Sequence, residues 1–479
     1  MDSIERLADQ CLLPGFIGTE APVWVLRRVA SGLGGVCLYA RNVESASQLV
    51  ALTARLHAEN PQLVIAIDEE GGDVTRLEAA TGSSYPGNLA LGVVGDVDLT
   101  RAVARSMGAD LVAAGIDLDL APVADVNSNP NNPVIGVRAF GAQPSLVAAQ
   151  TAAWIAGLQE AGVAACAKHF PGHGATSLDS HLALPVVDED PHEGALEPFR
   201  AAISAGVQAV MSAHILLRSI DSVPATIGAR IMIGLLREEL GFEGLAVSDG
   251  LEMRAIADGV GIAEGTVLAL AAGCDLLCIG GGLAGEDIAD DLRDAIIAAV
   301  REGRVSEARL AEAAARVESL AQWRSEQTAT TVRDPGVGLV AARRAVRAEG
   351  SVKIGRDPVV VRLRSMPSQA AGVMRWGVAA PLTQLGARVT AIDLDRSPAS
   401  LDGILKEAAG RSLVLVVRDL HRHPWMATLT EAVLAQRPDA VTVEMGLPAC
   451  RPAGASAYIA THGAAQVCGV AAAELMVAN

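Results

Sequence analysis

Aromatic residues are scarce in this chain: phenylalanine, tryptophan and tyrosine together make up 3% of its 479 residues. Hydrophobic residues nevertheless account for 51%. Alanine, valine and leucine must therefore build the core, and the length predicts two domains.

Positive charge is also in short supply, because the net charge is −17 and the isoelectric point is near 5.0. This balance argues against nucleic acid and against an anionic membrane surface as partners. Anionic substrates stay open, since a single pocket can be locally basic.

A disulfide framework is missing as well. The seven cysteines are odd in number and form no CxxC motif, which favours reduced, mostly buried thiols. Cys274 and Cys278 lie in a hydrophobic run, so their spacing indicates core packing rather than a metal site. The N-terminus lacks a basic start with an apolar segment, and no apolar run approaches about 18 residues. We expect a soluble, cytoplasmic protein.

Short apolar runs alternate with amphipathic helical patterns over the first two-thirds of the chain. Eight such units predict a (β/α)8 TIM-type barrel, and a doubly wound sheet is the alternative. The predicted strands cover 14–18, 34–40, 63–68, 116–121, 163–168, 208–214, 244–249 and 275–280.

A second, smaller α/β sandwich is predicted after a connector at 333–338. Its strands are expected at 358–361, 389–392, 413–417, 440–443 and 458–460, with helices near 399–409, 426–436 and 464–477. We place the domains at 1–330 and 350–479, and we expect residues 1–335 to form the complete active site.

Polar residues follow four of the predicted barrel strands. Active-site groups of such barrels lie at the carboxyl ends of strands. The residues at these positions are Asp68, Lys168 with His169, His214, and Asp249.

The segment Lys168-His-Phe-Pro-Gly-His-Gly174, followed by Asp179-Ser-His181, is the densest cluster of titratable groups. Asp179 and His181 can form a dyad that orients the imidazole and lets it donate and retrieve a proton. Pro171 and Gly172 break the helical spacing between His169 and His173, which disfavours a zinc site there.

Two further loops supply polar groups. In Asp68-Glu-Glu-Gly-Gly-Asp-Val-Thr-Arg76, the glycines permit a tight turn, so that Asp68 and Arg76 can face one pocket. The loop Asn131-Asn-Pro-Val-Ile-Gly-Val-Arg138 adds Arg138 as a donor. Asp249 itself is either a helix N-cap or a nucleophile.

Together these segments resemble glycoside hydrolase family 3, in particular its bacterial β-N-acetylglucosaminidase branch in the two-domain form. KHFPGHG followed by DSH is the most specific match, and residues 10–325 are covered continuously. Gly34-Gly-Val-Cys-Leu38, the DEEGG turn, Ala121-Pro-Val-Ala-Asp-Val126 and the segment ending at Phe140 also match.

The resemblance implies Asp249 as nucleophile, His181 as general acid/base and Asp179 as its partner. It also implies that Asp68, Arg76, Arg138, Lys168 and His169 bind the terminal sugar, and we add His214 to this group. Two positions depart from the commoner pattern: Asp73 replaces an arginine, and Gly250 replaces a second aspartate.

The implied activity is a retaining, exo-acting β-N-acetylhexosaminidase that uses no metal or organic cofactor. Its substrate would be a small saccharide of the cell-wall or chitin type, and few aromatics favour a closed pocket for one terminal sugar. Three alternatives stay open: a phosphorylase that takes inorganic phosphate as acceptor, a β-glucosidase or β-xylosidase, and an inactive sugar-binding protein. The oligomeric state stays open too.

Overall fold

The computed structural model describes residues 3–327, 333–366, 368–395 and 401–477. The first ten strands are β1 (Leu12–Pro14), β2 (Gly35–Leu38), β3 (Val64–Ile67), β4 (Leu118–Asp119), β5 (Ala164–Phe170), β6 (Val186–Val187), β7 (Ala209–Ser212), β8 (Leu216–Leu217), β9 (Leu245–Val247) and β10 (Leu277–Ile279).

Eight of these strands form the expected barrel. Parallel pairing runs in the order β2-β3-β4-β5-β7-β9. A parallel bridge between Val247 and Leu276 joins β9 to the start of β10, and β10 pairs with β1. All eight strands are therefore parallel neighbours around one sheet, which confirms the TIM-type barrel. The remaining two, β6 and β8, pair with each other outside it.

Helices follow the barrel strands and cover the outside of the sheet. They are α1 (Ser3–Gln10), α2 (Val23–Ala30), α3 (Ala46–Glu59), α4 (Asn88–Val94), α5 (Val97–Ala113), α6 (Pro144–Glu160), α7 (Glu197–Ser204), α8 (Arg254–Ala257), α9 (Ile262–Ala272), α10 (Glu286–Arg301) and α11 (Glu307–Glu326), with a π-helix at Arg230–Glu239. Ser306 caps α11 by accepting a hydrogen bond from the amide of Arg309, as its position predicts.

Seven of the eight predicted barrel strands contain or closely overlap the observed ones. The first, predicted at 14–18, shares only Pro14 with β1, because Leu12–Pro14 is the segment that pairs with β10. Phe16 is fully buried although it follows the strand, so its apolar character reflects packing and not strand pairing. All five phenylalanines are buried, as are Trp154, Tyr85 and Tyr458, so eight of the thirteen aromatic residues lie in the core.

The C-terminal part contains one sheet of six strands. They are β11 (Arg347–Glu349), β12 (Val359–Leu363), β13 (Thr390–Leu394), β14 (Leu413–Val417), β15 (Val441–Glu444) and β16 (Ala457–Ala460). The order is β11-β16-β15-β14-β12-β13, and all pairs are parallel except β11 with β16.

This sheet lies between two layers of helices. They are α12 (Val337–Ala345), α13 (Ala379–Gln384), α14 (Leu401–Glu407), α15 (Pro424–Gln436) and α16 (Gln466–Val477). Along β12, Val360 packs with the cluster that includes α12 and α16, whereas Val359 and Val361 pack with the cluster of α14 and α15. This alternation is the two-residue period of a strand buried on both faces, and it confirms the predicted α/β sandwich.

Three elements of this part were not expected. Helix α12 begins inside the predicted connector at 333–338, β11 precedes the predicted strands, and α13 lies between the first two of them. The predicted helix at 399–409 begins outside the described residues. The domain limits at 330 and 350 stay predictions. In the described part of the chain, no helix combines the length and the apolar character needed to cross a bilayer.

Candidate active site

Asp249 lies at the carboxyl end of β9, half-buried at the barrel mouth. Its Oδ1 accepts a hydrogen bond of 2.8 Å from the amide of Gly250. Burial would raise the pKa of this carboxyl, but His214, His169 and His181 outweigh it and lower the pKa to about 2. Asp249 is therefore an anion at neutral pH, as a nucleophile must be.

His214 follows β7 and lies behind the Asp249 loop. Its Nε2 donates to the carbonyl oxygen of Gly250 at 2.9 Å, and its Nδ1 lies 2.7 Å from Oγ1 of Thr226. The ring is fully buried, and burial lowers its pKa. Both nitrogens are thus engaged within the protein, so this residue holds the Asp249 loop from behind.

His181 and Asp179 form the predicted dyad. Asp179 Oδ1 accepts from Nδ1 of His181 at 2.7 Å and from its backbone amide at 2.9 Å. Burial would raise the pKa of Asp179, but the hydrogen bonds and charge of His181 lower it. The dyad fixes the ring so that Nε2 is left for a ligand, and a quarter of the His181 side chain is exposed.

His173 supports the loop that carries this dyad. Its Nε2 lies 3.0 Å from Oγ of Ser180, and its Nδ1 lies 2.8 Å from Oγ1 of Thr176. Burial lowers the pKa of His173 to about 4, so the ring is neutral at neutral pH. Both ring nitrogens contact hydroxyl groups of the same loop, so His173 stabilises the loop.

Lys168, in β5, contacts two acidic residues that follow β3. Its Nζ lies 2.7 Å from Oδ1 of Asp68 and 2.8 Å from Oε1 of Glu70. Burial would lower the pKa of the lysine, but the two carboxylates raise it. Burial would likewise raise the pKa of Asp68, and Lys168 lowers it. Arg138 and Lys168 likewise lower the pKa of Glu70 against the effect of burial, so Lys168, Asp68 and Glu70 are all charged at neutral pH.

Arg138 and His169 are held by Glu70 and Asp125, two acidic residues for which no role was predicted. Arg138 makes a two-pronged contact of 2.9 and 2.8 Å with Glu70. Asp125 Oδ2 accepts from Nδ1 of His169 at 2.7 Å, which leaves Nε2 facing the cavity. Glu70 lies in the DEEGG turn and Asp125 in the strand exit at 121–126, two motifs quoted in the sequence analysis. A buried cation such as Arg138 needs an acidic partner, and this requirement is the signal that could have identified these acids.

Arg76 is positioned from the C-terminal part of the chain. Its guanidinium donates to the carbonyl oxygens of Ala370 at 2.8 Å and Ala371 at 3.3 Å, and it lies 3.5 Å from Oδ2 of Asp68. The backbone after β12 thus holds a residue of the barrel site.

One cavity of about 670 Å³ at the barrel mouth collects most of these groups. The predicted site residues that line it are Asp68, Arg76, Arg138, Lys168, His169, His181 and Asp249. His214 and Asp179 do not line the cavity, but they contact Gly250 and His181, which do. Gln369 and Ala370 line it as well, so the cavity wall extends beyond residues 1–335, while all the predicted catalytic groups lie within them.

Glu252 is a wall residue that sequence reasoning missed. Its Oε1 accepts from the amides of Gly280, Gly281 and Gly282, at 3.0 and 3.2 Å for the first and last. A Cβ added at Gly250 would lie 3.2 Å from Oε2 of Glu252. A larger side chain at 250 would therefore crowd Glu252, and an aspartate would add a second negative charge beside its carboxylate.

Asp73, the other departure from the common pattern, has its partner in the C-terminal part. It forms an ion pair with Arg418 and accepts a hydrogen bond of 2.9 Å from the amide of Ala464. Burial raises the pKa of Asp73, and Arg418 partly opposes this. An arginine at 73 would face Arg418, so the two positions are complementary in charge.

Comparisons with known proteins show the family of this chain. The model of the glycosyl hydrolase family 3 N-terminal domain matches residues 25–320. Beta-hexosaminidase from Alkalilimnicola ehrlichii is 41% identical over 259 residues, 52% of this chain and 73% of that protein. Beta-hexosaminidase A from Pseudoalteromonas piscicida is 38% identical over 270 residues, which are 51% of this chain and only 45% of that relative.

Solved structures extend the similarity to the C-terminal part. A family 3 β-N-acetylglucosaminidase from Paenibacillus sp. matches with a TM-score of 0.89 and 32% identity over 99% of this chain and 97% of that one. NagZ from Neisseria gonorrhoeae, in complex with N-trifluoroacetyl-D-glucosamine, matches over 65% of this chain and 97% of its own, with a TM-score of 0.54 and 31% identity.

A barrel with charged groups at its carboxyl end and a matching domain over more than half of the chain define the class. The chain belongs to glycoside hydrolase family 3. Within the family it is similar to the two-domain β-N-acetylglucosaminidases, because the Paenibacillus structure matches nearly its full length.

Proposed function

We propose that this chain is a retaining, exo-acting β-N-acetylglucosaminidase that removes terminal N-acetylglucosamine from saccharides of the cell-wall or chitin type. The proposal rests on which two reactive groups line the same cavity. An ionised carboxylate, Asp249, lines the same cavity as the imidazole of the Asp179–His181 dyad. A nucleophile and a proton donor in one pocket are what double displacement at a sugar carbon requires.

In the first step the Asp249 carboxylate attacks the anomeric carbon from one face. The bond to the leaving oxygen breaks, and Nε2 of His181 supplies the proton that this oxygen needs. Asp179 stabilises the imidazolium through the 2.7 Å hydrogen bond to Nδ1. The product of this step is a glycosyl-aspartate, and the aglycone leaves.

In the second step His181 accepts a proton from water as the water oxygen bonds to the anomeric carbon. The bond to Asp249 breaks, and the carboxylate is restored. Two inversions give net retention of configuration. The low pKa of Asp249, about 2, makes it a good leaving group as well as an ionised nucleophile.

The terminal sugar is held by the charged network across the cavity. Asp68 supplies carboxylate oxygens, and Lys168, Arg138 and Arg76 supply donors. His169, whose Nδ1 donates to Asp125, presents its Nε2 as an acceptor. Because these groups already contact one another, they are fixed before a sugar binds, and little ordering is required on binding. His214 is a positioning residue, since it contacts the Asp249 loop.

Among the residues lining the cavity, Tyr39 is the one non-histidine aromatic. This supports a pocket for a single terminal sugar rather than a long cleft of stacking rings. A cytoplasmic location belongs to the proposal too. All seven cysteines are free thiols, and six of them are buried.

Two defined substrates test the function. Di-N-acetylchitobiose should be cleaved to N-acetylglucosamine. An aryl β-N-acetylglucosaminide, whose leaving group is not a sugar, should release N-acetylglucosamine whose first-formed anomer, seen by proton NMR, is β. An α-anomer would contradict a retaining mechanism. Accumulation of N-acetylglucosamine 1-phosphate in phosphate buffer would show that phosphate replaces water, and no turnover at all would overturn the proposal.

A further inference from the structure

Glu69 is a buried acid to which the mechanism gives no task. It lies in the turn that runs from Asp68 to Arg76 and also carries Glu70, so charged residues of the site surround it in sequence. Its exposed fraction is only 2%. Burying a carboxyl group is unfavourable unless hydrogen bonds compensate for the lost water, so its contacts indicate what it does.

The tip of this turn is closed by backbone hydrogen bonds. The amide of Glu70 donates to the carbonyl oxygen of Val74 at 3.0 Å, and the amide of Val74 donates to that of Gly71 at 3.2 Å. Gly71 and Gly72 have φ values of 70° and 61°, which let the chain reverse direction here. The amide of Arg76 lies beyond this closure and is buried, so it needs another acceptor.

The side chain of Glu69 is that acceptor. Its Oε2 accepts from the amide of Arg76 at 2.8 Å and from the amide of Leu77 at 3.0 Å. One oxygen of the first arm of the turn therefore holds two amides of the second arm. The position of the Arg76 backbone relative to Asp68 is thus fixed by a single side chain.

Asp119 holds the other end of the turn. This residue of β4 is fully buried, and its Oδ1 accepts from the amide of Glu69 at 2.9 Å. Burial raises the pKa of Glu69 to about 7 and that of Asp119 well above its usual range. The two acids can therefore lie next to each other in the core without both being fully ionised at neutral pH. They join the turn to the barrel sheet.

Arg76 is consequently held at both of its ends. Its guanidinium donates to the carbonyl oxygens of Ala370 and Ala371 and lies 3.5 Å from Oδ2 of Asp68. Its backbone amide is held by Glu69. A binding side chain that is fixed at its base and at its tip needs little ordering when a ligand arrives.

From these contacts we infer that Glu69 is a positioning residue for the terminal sugar, which it serves by fixing the backbone of Arg76 relative to Asp68. The inference rests on the proposed function, in which Asp68 and Arg76 bind that sugar. Glu69 does not line the cavity and so does not touch the substrate. Its removal should weaken the binding of the sugar while the chemical steps of Asp249 and His181 continue.

The test measures kinetics of Glu69→Ala and Glu69→Met with an aryl β-N-acetylglucosaminide. The methionine keeps the volume of the side chain but offers no oxygen. Both variants should raise KM and the inhibition constant of free N-acetylglucosamine by about tenfold or more, because a displacement of about 1 Å can cost up to about a hundredfold. The change in kcat should be much smaller. Glu69→Gln should stay close to wild type, because its amide oxygen can accept the same two hydrogen bonds.

A double-mutant cycle shows whether Glu69 acts through Arg76. Arg76→Ala should weaken sugar binding by itself. Adding Glu69→Ala to it should raise KM by no more than about twofold further, since the two residues serve one contact. Effects on KM that multiply in the double variant would show that Glu69 does not act through Arg76 and would overturn the inference.

Glu78→Ala is the matched control. Glu78 accepts from the amide and the hydroxyl of Ser84, each at 2.6 Å, and does not line the cavity. This variant should also lose stability in denaturant but keep the wild-type KM. An equal rise of KM in Glu78→Ala would mean that loosening any nearby loop has the same effect, and the inference would be wrong.

The remaining outcomes separate this inference from the proposed function. Wild-type KM in both Glu69→Ala and Glu69→Met would contradict the inference alone. If circular dichroism shows that both are unfolded, Glu69 is required for the fold and is not a positioning residue. Wild-type protein that neither cleaves the aryl substrate nor binds N-acetylglucosamine would contradict the proposed function, and the inference would fall with it.

Discussion

The charge state of Asp249 is set by its neighbours. Burial alone would raise its pKa, but His214, His169 and His181 lower it, and His214 contributes the largest part of the lowering. His214 also bonds the carbonyl of the adjacent Gly250. The sequence predicted that both residues belong to the site but could not reveal this relation, since contacts between strand ends depend on the closed barrel.

The low pKa of Asp249 predicts how its reactivity depends on pH. A carboxyl with a pKa of about 2 stays ionised between about pH 7 and pH 4, whereas one with an ordinary pKa of about 3.9 would lose half of its charge near pH 4. The rate constant for inactivation by a 5-fluoro glycosyl fluoride should therefore change less than about twofold over this range. Because fluoride departs with little assistance from a general acid, this rate constant reports mainly on Asp249. A fall to half or less in protein that circular dichroism shows to be folded would contradict the assignment.

The role of His181 predicts a dependence on the leaving group. His181→Ala should lower kcat/KM by about 10²–10⁴-fold for alkyl and saccharide leaving groups, which need a proton. The loss should be much smaller for dinitrophenyl glycosides. Asp179→Asn should cost less than His181→Ala, because the imidazole remains and only its orientation and charge support are weakened. Equal losses of kcat/KM for good and poor leaving groups would show that His181 is not the general acid/base.

At the scale of elements, the loop after β5 has to lie very close to a neighbouring strand exit. A Cβ added at Gly174 would lie 1.8 Å from the carbonyl oxygen of Val126. Asn132 bonds the carbonyls of His173 at 2.9 Å and Gly174 at 3.1 Å from the other side. The loop carrying the acid/base dyad is thus fixed by close backbone packing.

Gly174→Ala should therefore displace this loop. We expect a loss of about 1–3 kcal/mol in the free energy of unfolding, typical of overpacking, together with a lower kcat. Gly234→Ala is the control, because a Cβ there meets nothing within 4 Å and the residue lies in the helix Arg230–Glu239. Denaturant unfolding and kinetics measure both effects. Equal stability and activity of the two variants would show that the loop has room to adjust.

Elements were the most predictable part of the fold. The apolar runs located seven barrel strands and all five parallel strands of the second sheet, because a buried parallel strand is a short continuous hydrophobic segment. Short β11, all of whose residues are exposed, gave no such signal. Glu70 and Asp125 lie in motifs that the sequence analysis quoted. Their pairing with Arg138 and His169 depends on the tertiary structure, so the sequence could not predict it.

At the scale of the whole molecule, the two halves share one site. Ala370 and Ala371 hold Arg76, and Arg418 pairs with Asp73 across more than 300 residues of sequence. No periodicity or motif connects segments so far apart, which is why the sequence led us to expect an independent barrel site.

The Asp73–Arg418 pair predicts measurable coupling between the halves. Asp73→Ala and Arg418→Ala should each cost about 3–5 kcal/mol in the free energy of unfolding, because each leaves a buried charge without its partner. The double variant should cost less than the sum, with a coupling energy of about 0.5–3 kcal/mol. The exposed pair of Arg343 and Glu474 is the control, and Arg343→Ala should cost less than about 1 kcal/mol. Additive losses at Asp73 and Arg418 would mean that the halves are not coupled there.

The central claim is that Asp249 forms the covalent bond to the sugar. The most direct measurement is to trap the enzyme with a 5-fluoro N-acetylglucosaminyl fluoride, digest it and locate the label by peptide mass spectrometry. We predict one equivalent of sugar on Asp249 and none in Asp249→Ala, which should retain its fold and lose nearly all turnover. A label on another carboxylate, such as Asp68 or Glu252, would contradict the account.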